Sequence, residues 1–130
     1  MSYTAELLSR GGFEIGYHLL LPEDVREYMA DDPQSWPDIR DVLIRIKDAR
    51  GRPRDWEAPL ARRNADVGEI RVRGADGHYR LYVHAPRSHP NFLLLLHLGW
   101  KPGGEEGLNV QDGQIDEACA RLVSWLTTAQ

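Results

Sequence analysis

The chain has 130 residues, 42% of them apolar and 28% charged, with 12 Gly, 8 Pro and one Cys. That length suits one globular domain that buries its own core. A single Cys excludes a disulfide scaffold and a Cys-rich zinc site. No run approaches the roughly 18 apolar residues of a membrane helix, and the opening MSYTAELLSR lacks a charged-then-apolar leader pattern. A cytoplasmic protein without membrane contact is expected.

In chain order, Phe13, Ile15, Tyr17, Leu19 and Leu21 alternate with other residues and predict a strand stopped at Pro22. Pro22, Glu23 and Asp24 then suit a helix N-terminus, with Val25, Tyr28 and Met29 on one face. Asp31, Asp32 and Pro33 break that helix. Ser35 is the expected N-cap of a second helix carrying Trp36, Ile39, Val42, Leu43 and Ile46 at three-and-four spacing, ended by Gly51 and Pro53. Residues 52–66 read as a connector holding at most a short helical turn.

Three strands are expected next, from Val67 to Arg73, His78 to His84 and Phe92 to Leu98. The first two are joined by a turn at Gly74, Ala75, Asp76 and Gly77. Phe92 to Leu96 is apolar at every position, so this strand should be central and covered on both faces. Glycines 99, 103, 104 and 107 with Pro102 predict a mobile loop. A last helix is expected from about Gly113 to Thr127, its buried stripe formed by Ile115, Ala118, Cys119, Leu122, Val123 and Leu126. The element order gives an α+β domain with helices packed on an antiparallel-rich sheet.

Charge is unevenly spread. The net value is −4, yet Arg40 to Arg87 holds 12 Lys plus Arg against 7 acids, leaving 4 against 13 elsewhere. Within the hairpin, Ile70 and Val72 should face inward with Tyr79, Leu81 and Val83. Glu69, Arg71 and Arg73 then share the other face with His78, Arg80, Tyr82 and His84. Two registers are open, one pairing Arg71 with Arg80 and the other pairing Arg73 with Arg80. Like charges opposite each other destabilise a sheet, which points to an anion between them. Arginine's planar fork suits phosphate. Glu69 lies within diagonal reach, either as a salt-bridge partner of Arg80 or as a proton acceptor. His97 ends the apolar strand, and Lys101 follows in the loop. His84, His89 and His97 lack the spacing of a metal site, so no metal or other cofactor is expected.

Gly68-Glu69-Ile70-Arg71-Val72, Tyr79-Arg80-Leu81-Tyr82-Val83, Leu94-Leu95-Leu96-His97 with Lys101, and Gln114-Ile115-Asp116-Glu117-Ala118 occur in an order that resembles the RelE/HigB family, more narrowly its phage-derived HigB-like branch. The resemblance spans about residues 60 to 126. It implies a strand, a helical hairpin, a three-stranded antiparallel meander and a C-terminal helix. It also implies a toxin of a toxin-antitoxin pair that cleaves messenger RNA on the ribosome and is neutralised by a cognate antitoxin.

By that resemblance Arg71 and Arg80 would stabilise the phosphorane, Lys101 would assist, and His97 or Glu69 would transfer a proton. Arg73, His78 and Tyr82 would bind RNA. The chain departs from the family pattern at Gly99, Trp100, Lys101 and Pro102, where one lysine is missing and an acidic glycine-rich stretch follows. That departure supports an alternative on the same fold, a binding protein such as a gyrase inhibitor or a phage or host interaction module.

Overall fold

The computed structural model describes residues 13–48, 56–57, 66–73, 78–89, 91–101 and 104–128. Along the chain these form β1 (Glu14–Tyr17), α1 (Leu21–Asp31), a 3-10 turn (Pro33–Ser35), α2 (Trp36–Asp48), β2 (Trp56–Glu57), β3 (Gly68–Arg73), β4 (His78–His84), β5 (Phe92–Lys101) and α3 (Gly104–Thr128). The fold is α+β, built on a mixed sheet of order β1-β5-β4-β3-β2. β3, β4 and β5 make an antiparallel meander, and β1 joins β5 in parallel, Glu14 opposite Phe92 through Tyr17 opposite Leu95.

The hairpin takes the register that sets Arg71 opposite Arg80 and Arg73 opposite His78. Ile70, Val72, Tyr79, Leu81 and Val83 face one core with Ile39, Val42 and Ile46 of α2. On the other side Val67, Tyr82, Leu94 and Leu96 pack under Ile115, Ala118, Leu122 and Trp125 of α3. β5 is therefore flanked by strands and covered on both faces, which is why all of Phe92 to Leu96 is apolar and buried.

Between β4 and β5 the register shifts: Tyr82 opposes His97 while Val83 opposes Leu95, so Leu96 has no β4 partner of its own. Such a bulge resets a strand's alternation. Leu93, Leu95 and Leu98 serve one core, Leu94 and Leu96 the other, and the His97 ring stacks on Tyr82 with centroids 6.1 Å apart.

Several expectations are corrected. Leu19 is exposed and Leu21 begins α1, so the first strand is shorter than its alternation. Ser35 ends the 3-10 turn and its hydroxyl donates to Asp32 Oδ2 instead of capping α2. In the connector Trp56–Glu57 is a short strand paired with β3, and residues 52–55 and 58–65, like the turn expected at Gly74 to Gly77, lie outside the described residues. Gly99 and Lys101 extend β5, and α3 begins at Gly104, where a glycine loop was expected. Val123 and Leu126 point outward, and Trp125 takes the buried position because a 3.6-residue repeat continues 115, 118, 122, 125.

Candidate functional site

β1 stops at Tyr17 while β5 runs on to Lys101, so among the described residues no strand lies beside the outer edge of β5 past Leu95. The backbone N–H of His18 takes the Leu95 carbonyl at 2.8 Å. Beyond that point side chains bond the β5 backbone. Asp24, in the first turn of α1, accepts the Leu98 N–H at 3.1 Å, and Arg121 of α3 donates to the Leu96 carbonyl at 2.9 Å. These bonds satisfy buried backbone groups that would otherwise carry a desolvation penalty.

The two side chains also bind each other. Arg121 Nη1 donates to Asp24 Oδ2 at 2.7 Å and Nη2 to Oδ1 at 3.1 Å, while Arg121 Nε donates to Glu117 Oε2 at 2.8 Å. Burial alone would raise the Asp24 pKa, but hydrogen bonds from His97, Arg121 and the Leu98 N–H outweigh it and hold the carboxyl below its ordinary value. Asp24 is thus a carboxylate, and His97 Nδ1, 2.9 Å from Oδ2, must carry the proton it donates. Burial and the Arg121 charge together lower the pKa of neighbouring His18, with Glu117 and Asp24 opposing.

On the arginine-bearing face Arg80 is covered while Arg71 is exposed. Arg80 and Glu69 are both buried and form an ion pair, and Gln111 of α3 approaches Glu69 Oε1 at 3.4 Å. The anion beside Arg80 is therefore the chain's own carboxylate. Tyr82, fully buried, donates its hydroxyl to Gln114 Oε1 at 2.9 Å, and Gln114 Nε2 donates to the Trp100 carbonyl at 2.9 Å. Burial and the Glu69 charge push the Tyr82 phenol well above its ordinary value, Arg80 opposing. A Cβ at Gly99 would overlap the Gln114 carboxamide, so this glycine makes room for the Gln114 side chain between Tyr82 and the Trp100 carbonyl.

Among the sequence-derived residues, the structure groups Glu69 with Arg80 and His97 with Tyr82. Arg71 and Arg80 stand directly opposite each other on β3 and β4, Arg71 exposed and Arg80 buried. The expectation that Arg80 opens outward is corrected: α3 lies over it. Arg73, His78 and Lys101 form one backbone row across β3, β4 and β5, and their side chains lie outside the described parts. His84 Nδ1 lies 2.7 Å from the Asp66 carbonyl, and His89 Nδ1 lies 2.6 Å from Ser88 Oγ. Among the described residues no group of three His, Cys, Asp or Glu could hold a metal, and no helix is long and apolar enough to cross a membrane.

Asp24, Arg121 and Gln114 were missed. A usable signal existed for the last two: Gln114 and Arg121 sit on the same repeat as Ala118 and Trp125, and polar groups on an apolar stripe demand buried partners. Two clefts remain. One, of about 410 Å³, is lined by Tyr28, Tyr79 and Trp100 with Glu27, Asp31 and Asp32, where the Tyr79 hydroxyl donates to Asp32 Oδ2 at 2.8 Å. The larger, of about 580 Å³, is an apolar cleft between α1, α2 and the sheet. No protein-family profile matches this chain, and neither the curated proteins nor the solved structures contain a match to it.

Proposed function

We propose that this chain is a non-catalytic protein-interaction module. The observation that carries this reading is the Glu69–Arg80 pair buried beneath α3. Phosphodiester cleavage needs positive charge aimed at the developing phosphorane and groups that move protons beside it. Here the Arg80 charge is neutralised internally, and the Tyr82 hydroxyl is held by Gln114 with its pKa raised. The large apolar cleft lies on the opposite face, where side chains are available to a partner.

A second reading, messenger-RNA cleavage of the RelE/HigB type, draws support from the Asp24–His97 pair, because a carboxylate that fixes one imidazole nitrogen orients the ring for proton transfer. One assay separates the two. The purified chain is added to a translating extract and the transcripts are mapped by primer extension. Intact transcripts and undiminished translation are expected, and discrete breaks within ribosome-bound messages would overturn the interaction reading.

A further inference from the structure

We propose that the cleft between α1, α2 and the sheet receives an amphipathic helix with acidic flanks, presented by a partner protein. The inference rests on the non-catalytic interaction reading above and adds the chemistry of what is bound. The floor of the cleft is apolar, formed by sheet residues such as Leu81, Leu95 and Leu98. Trp36 and Ile44, both exposed, stand at its walls. Among the described residues its charged lining is Arg26, Arg40 and Lys47, all basic and exposed, in a chain whose net charge is −4. Among the described residues none of the three is tied into an ion pair.

Spacing selects the occupant. Arg40, Ile44 and Lys47 fall at i, i+4 and i+7 on α2, so they share one face, and the two cations are separated by about 10 Å along the helix axis. An acyl chain carries one carboxylate at one end and meets only one of them. A helix laid beside α2 repeats with the same rise, so two acids seven residues apart on the flank of its apolar stripe meet both cations while the stripe itself enters the cleft. Arg26 on α1 supplies positive charge on the facing wall. Long basic side chains at such a rim cover apolar surface with their stems and keep their heads in water, which suits a charged flank around a dry centre.

The test is a displayed library of helical peptides with a fixed leucine stripe at i, i+3, i+4 and i+7 and flanking positions randomised over Glu, Gln and Lys. It is selected on the full chain. Glu should be enriched at the flanks, and the selected peptides should lose about tenfold or more in affinity against the Arg40→Glu, Lys47→Glu double variant. Backbone amide shifts of the free variant, matching those of the parent, establish that it folds. Enrichment of Lys, no charge preference, no binders, or displacement of bound peptide from other surfaces only would overturn the proposal. Preferential binding of palmitate, with no acidic peptide selected, would do the same. None of these outcomes bears on transcript cleavage, so failure here is distinct from failure of the interaction reading.

Discussion

Asp24 and Arg121 lie 97 residues apart in the chain and meet through two hydrogen bonds, Nη1 to Oδ2 at 2.7 Å and Nη2 to Oδ1 at 3.1 Å. Since α1 and α3 pack on opposite faces of the sheet, this pair clamps all three layers at the edge where β1 ends. Asp24→Ala leaves the buried Arg121 with Glu117 as its remaining counter-charge and frees the Leu98 N–H, and is expected to lower stability by about 2–5 kcal/mol in urea unfolding. Adding Arg121→Met should recover part of that loss, giving a coupling of about 0.5–3 kcal/mol in the double-mutant cycle.

The same carboxylate makes stability depend on pH. Its folded pKa lies below the ordinary 3.8, so the unfolded chain takes up the proton first as pH falls. Its stabilisation is complete above that ordinary value and drains away as pH drops through the lower folded one. Urea midpoints followed from neutral pH to about pH 2 should fall further in the parent than in Asp24→Asn. His18, lowered from 6.5 by burial and by Arg121, has the same sign over a higher window. Stability should begin to decline as pH falls through 6.5, and His18→Gln should flatten that segment.

Glu69 and Arg80 behave as a buried couple. Glu69→Gln leaves the guanidinium without its counter-charge, and Arg80→Ala leaves the carboxylate without one. Each is expected to cost about 3–5 kcal/mol, whereas Glu69→Leu with Arg80→Met should lie much closer to the parent. Thermal or urea unfolding of the four chains checks this. An Arg80 variant therefore cannot serve as a folded, catalytically dead control unless its stability is measured first.

At Gly99 the expected effect is steric. Gly99→Ala drives a methyl into the Gln114 carboxamide and displaces it from Tyr82 and the Trp100 carbonyl, at about 1–3 kcal/mol. In a Gln114→Ala background that penalty should shrink, because the clashing group is gone. Comparing the two backgrounds by urea unfolding isolates the contact.

Much of this architecture was legible from local pattern. Alternation through Ile70, Val72, Tyr79, Leu81 and Val83 identified the hairpin and its core face, and the unbroken apolar run of Phe92 to Leu96 identified a strand covered on both sides. The parallel pairing of β1 with β5 was not legible, since no local signal specifies a partner some 78 residues away. Nor was the bulge at Leu96, which turns His97 toward Tyr82.

The fate of the arginine face turned on one further fact that alternation does not encode. Periodicity says that Glu69, Arg80 and Tyr82 share a side of the sheet, but not that a helix begun at Gly104 will lie over them. Gly104, Gly107 and Gly113 weigh against a helix on propensity, and packing on the sheet overrides that preference. Glu69 proved to be the internal partner of Arg80, one of the two roles its diagonal position allowed.

The central claim is that the Arg80 guanidinium is an internal structural charge. Side-chain nitrogen NMR of the 15N-labelled chain reads it directly, through the exchange rate and position of the Arg80 Nε–H signal during titration with inorganic phosphate and then a short oligoribonucleotide. The buried Nε–H should exchange slowly with solvent and hold its position throughout. Rapid exchange, with a saturable shift on adding phosphate or oligoribonucleotide, would contradict the account.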